Sequence, residues 1–243
     1  MFNRHLKKFI KLFFIISLLT TSSFCLATVT MVGNRIIYPA NAKEKMLQFS
    51  NPDNIPYMIQ IWTDINNPKS KPDTADGPFI TAPHLFRIEP NQGQIVRLMF
   101  NNKMALPTDK ESLFYFNFLQ FPGLDTSQKE QNKIVLLVTS RLKIFYRPNN
   151  LNITPEEISN KIKFKVKNNQ LEVTNDSPYH ATFGKVTFLD ANNKTIAEIK
   201  EPLMVAPFSK DTWNCKTKLI KTKVINYTLI NDFGVSIQYQ FSL

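Results

Sequence analysis

Residues 131–148 read QNKIVLLVTSRLKIFYRP, the pattern of a long β-strand over Ile134–Tyr146 whose first half is apolar at every position and whose second half carries Arg141, Lys143 and Arg147. A strand buried on one face alternates apolar with polar residues, and Ile134, Val135, Leu136, Leu137 and Val138 do not alternate. Both faces of that half therefore call for cover. One source is the protein itself, with the strand central between two layers. The other is a second protein, for which Ile134, Leu136 and Val138 are held out.

The chain opens MFNRHLKKFIKLFFIISLLTTSSFCLA, with Arg4, Lys7, Lys8 and Lys11 ahead of an apolar run from Leu12 to Leu19 that is short for a bilayer span. Together with the compact residues Cys25 and Ala27, this predicts a secretory signal peptide cleaved after Ala27, and no stable membrane insertion afterwards. A retained anchor fits less well, because no stop-transfer pattern follows. A lipidated Cys25 fits less well because Phe24 is bulky. The formal charge of +11 falls to +7 over residues 28–243, spread through every segment, which suits solubility and acidic partners better than nucleic acid. Only Cys215 survives removal of the leader, so no intrachain disulfide can form and the fold rests on hydrophobic cores alone.

Strand patterns recur along the rest. Thr28–Tyr38, Glu44–Asn51, Tyr57–Asp64, Leu85–Glu89, Gln94–Phe100, Leu113–Gln120 and Ile134–Tyr146 are separated by turn formers such as Asn51-Pro52-Asp53 and Asp76-Gly77-Pro78. A polar, Pro-bounded stretch over 149–155 and a helical turn over Glu156–Asn160 follow. Strands then resume at Lys161–Lys167, Gln170–Asn175, Ala181–Leu189, Lys194–Ile199, Lys221–Ile230 and Val235–Phe241. This is an all-β chain of two immunoglobulin-like sandwiches, 28–148 and 149–243.

Residues with chemistry to offer are few. His84 and His180, the only histidines after the leader, fall in different sandwiches, and no HExxH, CxxC, Gly-rich phosphate loop or G-x-S-x-G is present. With six glycines, phosphate cradles are hard to build. No catalytic set, metal site or cofactor is expected, and an enzyme is disfavoured. A secreted adhesin or carbohydrate-binding module, using Trp62 or Trp213, is the alternative to a protein-binding role. The polar residues that draw notice are Arg35, Glu111, Lys143, Arg147 and Asp232, each in or beside an apolar strand. Glu111 and Asp232 are suited to compensate Arg147, because a charge at a domain junction is costly unless paired.

Several stretches, in order, resemble the periplasmic pilus-assembly chaperones of the chaperone–usher pathway: GNRIIYPA from Gly33, PYMIQIW from Pro56, PFITAPHLFRIEP from Pro78, LPTDKESLFYFN from Leu106, RLKIFYRP from Arg141, VTNDSPYHAT from Val173, VAPFS from Val205 and INDFG from Ile230. The resemblance implies two immunoglobulin-like domains in a boomerang, a periplasmic location, and pilin subunits and an outer-membrane usher as partners. It implies donor-strand complementation, in which the chaperone lends a strand to a pilin that lacks one. By the same resemblance, Arg35 and Lys143 grip the subunit's C-terminal carboxylate. Ile134, Leu136 and Val138 are the donor residues, with Val135 and Leu137 left to the chaperone's own core. Glu111, Arg147 and Asp232 form an interdomain charge cluster. The connection Pro122–Lys133 fits the short-loop subclass, and the apolar strand leaves a self-capping dimer open to the free protein. Ile134, Leu136 and Val138 share a parity that Lys143 lacks, which requires a bulge or strong twist between Thr139 and Arg141 unless the cleft is reached from the strand's other face. Ala82-Pro83 departs from the family's Pro-Pro and leaves the isomer of that bond open. Arg141 and Cys215 carry no assignment.

Overall fold

The computed structural model describes residues 28–123, 134–201 and 203–243. The expected leader, 1–27, lies outside the described residues, as do residues 124–133 of the Pro122–Lys133 connection. No described helix is long and apolar enough to cross a membrane.

The described residues of the N-terminal sandwich form nine strands: β1 (Thr30–Met31), β2 (Arg35–Pro39), β3 (Lys45–Ser50), β4 (Tyr57–Asp64), β5 (Phe79–Ala82), β6 (Leu85–Ile88), β7 (Gly93–Phe100), β8 (Ser112–Pro122) and β9 (Val138–Arg147). They form two sheets, ordered β1-β3-β7-β5 and β2-β9-β8-β4-β6. Alternate residues turn inward from both. Leu47, Phe49, Val96 and Leu98 of the first sheet meet Ile59, Ile61, Phe116, Phe118 and Ile144 of the second in one buried cluster. Phe49, fully buried, packs edge-on against Phe86 and Phe118 at 5.6 and 5.2 Å between ring centres.

The expected single strand Thr28–Tyr38 is two strands. Gly33, at φ +88°, takes a left-handed turn open to glycine at little cost, and there the chain leaves one sheet for the other. Before it, β1 pairs with β3; after it, β2 runs parallel to β9 with Arg35 opposite Lys143. Strand β5 was not expected, because four residues after Asp76-Gly77-Pro78 carry too little periodicity to stand out. The Ala82–Pro83 bond is cis.

A 3-10 helix over Pro155–Lys161 leads into the second sandwich, its entry closed by the Glu157 carboxylate accepting from the Thr154 N–H at 2.8 Å. Its strands are β10 (Ile162–Lys167), β11 (Gln170–Asn175), β12 (Ala181–Leu189), β13 (Thr195–Ile199), β14 (Leu203–Val205), β15 (Ser209–Asn214), β16 (Val224–Ile230) and β17 (Ser236–Ser242). The sheets are β10-β11-β15 and β13-β12-β16-β17, with β14 also on β12. Phe164, Phe183, Trp213 and Tyr227 centre the core. Strands β14 and β15 escaped the sequence reading, the first by its length and the second because Trp213 alone of its six residues is buried.

Each sandwich buries one asparagine that ties a corner. Asn51 donates to the carbonyls of Ile55 and Glu89 and accepts from the Asp53 N–H. Asn175 donates to those of Tyr179 and Ala206 and accepts from the Ser177 N–H. Arg141 has a comparable structural duty. It reaches Asp64 at 2.6 Å and lies 3.5 Å from the Tyr115 ring centre. Asp64 is fully buried and also accepts from Asn117 at 2.6 Å, Ser70 at 3.0 Å and the Asn67 N–H at 2.8 Å, while Ser70 accepts from the Trp62 indole. The end of β4, the loop after it, β8 and β9 thus converge on one carboxylate.

Replacing Asp64 with alanine strands these donors. Asp64→Ala is expected to lower unfolding stability in urea by about 3–5 kcal/mol, the range for removing one member of a buried pair. A loss below about 1 kcal/mol, ordinary for an exposed pair, would show that the carboxylate is not the tie described.

Candidate functional site

The strand expected from Ile134 begins at Val138. Ile134 is 100% exposed and Leu136 76%, while Val135 and Leu137, assigned from sequence to the protein's own core, are 43% and 48% exposed. That assignment is corrected: all four lie outside the core. The cause is a lack of neighbours. The β8–β9 ladder ends at Gln120 opposite Val138, and β2 starts only opposite Lys143. Val138 itself is half-buried.

From Ser112 opposite Tyr146 to Gln120 opposite Val138 the register is unbroken, so no bulge lies between Thr139 and Arg141. Strict alternation then sends Leu142, Ile144 and Tyr146 into the N-terminal core, and Arg141, Lys143, Phe145 and Arg147 out through the other face. The parity mismatch between Val138 and Lys143 is resolved by two faces of one regular strand. Along the side of β9 that β2 occupies, no described strand lies beside Val138–Leu142.

Arg35 and Lys143 sit side by side across the parallel β2–β9 ladder, both half-buried. The Arg35 guanidinium donates to the Ile230 carbonyl at 3.1 Å through one terminal nitrogen and to Asn34 Oδ1 at 3.2 Å through Nε, with Phe145 beneath it, its ring centre 6.0 Å from the guanidinium carbon. Among the described residues, Lys143 has no ion-pair partner. Burial lowers the Lys143 pKa below its ordinary value, and repulsion from Arg35 lowers it further. Burial also lowers that of Arg35, against the attraction of Asp232 and Glu111. Two partly desolvated cations opposite each other on one face of a ladder suit a single carboxylate that accepts from both.

Behind them stands an ion network between the domains. Arg147, at the end of β9, donates through Nε to Glu111 at 2.8 Å and through both terminal nitrogens to Asp232 at 2.6 and 2.8 Å. Burial opposes its charge, but the hydrogen bonds and attraction of Asp232 and Glu111 win, and its pKa is raised. The second Glu111 oxygen accepts from the His180 N–H at 2.8 Å and lies 3.3 Å from its Nδ1. The Glu111 N–H donates to the Pro178 carbonyl at 2.9 Å. His180 is a participant that no local pattern placed here, since the nearest cue was its position after Pro178-Tyr179. Its ring rests 5.4 Å from that of Phe145.

The residues behind the other readings lie elsewhere. Trp62 and Trp213 are buried, their indole N–H groups bound to Ser70 and Asp211, so neither offers a face to a sugar. Cys215 is buried in the C-terminal core, and burial raises its thiol pKa. His84 lies beside the cis bond, its carbonyl accepting from the Ile61 N–H.

Comparison with known proteins gives consistent likenesses. A family profile described as pili and flagellar-assembly chaperone, PapD N-terminal domain, matches residues 28–152, and one described as pili assembly chaperone PapD, C-terminal domain, matches 157–241. The chain is 35% identical over 221 residues to the Bordetella pertussis chaperone protein FimB/FhaD, covering 89% of this chain and 88% of that one. It is 34% identical over 211 residues to the Haemophilus influenzae chaperone protein HifB, covering 86% and 85%. Among solved structures, it is similar to the Pseudomonas aeruginosa CupB2 chaperone (TM-score 0.71, 28% identity, 88% of this chain and 100% of that one). It is also similar to the Salmonella enterica SafB chaperone in complex with the SafA pilin (TM-score 0.72, 25% identity, 91% and 99%).

A lysine whose pKa is lowered by folding binds fewer protons folded than unfolded between the two pKa values, so its destabilising effect is present at neutral pH and relieved as pH rises through the folded value toward 10.5. Lys143→Met is therefore expected to melt at or above the wild-type temperature at pH 7, with the difference closing at alkaline pH. A clearly lower melting temperature for the variant at pH 7 would contradict an unpartnered Lys143.

Proposed function

The chain belongs to the family of PapD-like pilus-assembly chaperones, and on that premise we propose that it holds pilin subunits by the strand running into β9, anchors their C-terminal carboxylate on Arg35 and Lys143, and delivers them to the outer-membrane usher. The observation that carries this reading is the lane beside Val138–Leu142, in which no described strand lies and which ends at the two cations. A client strand lying in that lane with its carboxylate at Arg35 and Lys143 runs in the direction of β9, parallel to it and in line with β2. Two cations fix the end of such a strand and hence its register.

The driving force is client burial. Ile134 and Leu136 stand in water and Val138 follows them with the same parity. Inserted into the open core of a subunit that lacks a strand, each contributes roughly 1.5–3 kcal/mol before ordering costs. Val135 and Leu137, also exposed, lie on the opposite parity and are left for whatever covers the other face. No nucleotide, metal or cofactor enters, and the role is binding rather than catalysis. Residues 28–148 carry the client site, and 149–243 supply the second wall through Asp232 and Ile230. Arg147, Glu111 and Asp232 hold the two walls at a fixed angle. The family and the basic, apolar start of the chain support a periplasmic protein released from a leader at Ala27. The length of 122–133 supports the short-loop subclass.

Arg35→Ala and Lys143→Ala are expected to remain folded while subunit affinity drops about 10- to 150-fold, the scale of a hydrogen bond to a charged group. Titration of the chaperone against a purified pilin subunit and its melting curve read both. Leu136→Asp should weaken capture with little change in melting. Unchanged affinity in the alanine variants sinks the anchor, and a collapse of Leu136→Asp stability would make Leu136 a core residue.

A further inference from the structure

The same short turn that closes the interdomain ion network also braces the anchor. Residues 231–235 fold on themselves: Asn231 Oδ1 accepts from the N–H groups of Phe233 and Val235, and the Gly234 N–H donates to the Asn231 carbonyl. From this turn Asp232 reaches Arg147. Just before it, the Ile230 carbonyl accepts from Arg35. At its far side Gly234, with φ +81°, comes close to the side-chain amide of Asn34, and a Cβ there would stand 2.5 Å from both Asn34 Oδ1 and Nδ2. Asn34 Oδ1 in turn accepts from Arg35 Nε. The amide is thus caught between a glycine of one domain and the guanidinium of the other.

We infer that Asn34, pressed by Gly234, is a positioning residue that aligns the Arg35 guanidinium for the client carboxylate, so that the C-terminal domain sets the aim of a cation carried by the N-terminal one. This deepens the carboxylate-anchor reading and rests on it. An arginine side chain with neighbouring Lys143 unpaired is pushed away from it, and a half-buried guanidinium held on two edges loses little further freedom when the anion arrives. The remaining terminal nitrogen has no described partner and is left to donate to an anion. Glycine is favoured at 234 by its backbone conformation, and a Cβ there would displace the Asn34 amide.

The test uses a soluble peptide of alternating valine and threonine, about ten residues long to match a strand lying along 134–143 at roughly 3.3 Å per residue. It is made once with a free C-terminal carboxylate and once as the amide. Wild-type protein is expected to prefer the acid, and Asn34→Ala, whose side chain is exposed, to keep its melting temperature while losing about three- to tenfold of that preference, the span of one net hydrogen bond. Gly234→Ala should lose preference in the same direction. In an Arg35→Ala background, Asn34→Ala should change nothing further, which a general structural role would not produce. Full acid preference in both variants, or equal loss for acid and amide, overturns the inference while leaving the anchor standing. A wild-type protein that binds neither peptide, or does not prefer the acid, removes the anchor reading and this inference with it.

Discussion

The arrangement of two sandwiches depends on one guanidinium. Arg147 ends β9, and all three of its nitrogens are used, two on Asp232 from the second domain and one on Glu111 before β8. With Cys215 the single cysteine among the described residues, no disulfide between them backs it up. Buried ion pairs are weak sources of net stability, because desolvation consumes most of the attraction, but they tolerate only narrow geometry. That suits the task here. The angle between the domains decides whether Ile230 and the turn after it reach Arg35, and an apolar contact would allow sliding where a bidentate pair does not.

How far the sequence revealed this depends on which physical signal each feature leaves. The sandwich strands write themselves as period-two patterns, and Phe116-Asn117-Phe118 or Ile59-Gln60-Ile61 could hardly be read otherwise. Glu111, Arg147 and Asp232 stood out because charge in an apolar setting demands a partner. Asp64 did not, since Asp64-Ile65-Asn66-Asn67 looks like a turn; its partners include Asn117 and Arg141, which are distant in sequence. Residues 134–137 mislead in the opposite sense. Their composition says strand, but a strand is made by its ladder, and here the pairing with β8 ends at Val138 and β2 starts only opposite Lys143. His180 left no local trace, because its role follows from where Glu111 happens to land.

The proposed site sets binding against folding. Arg35 stands where it disfavours the charge of Lys143, and four large apolar side chains are exposed at 134–137. None of this helps the free protein. Its core and its Asp64 and Asn51 ties carry that burden, and under the proposed role a client would cover the exposed stretch.

The turn at Gly33 gains a meaning from that stretch. Carrying the Arg35–Lys143 register backwards puts Thr30 opposite Val138 and Thr28 opposite Leu136. Were the chain to run straight through Gly33, residues 28–32 would zip onto the edge proposed for a client. By diverting β1 to the other sheet, one left-handed residue leaves that edge open, and under the proposed role it keeps the chain from being its own competitive inhibitor.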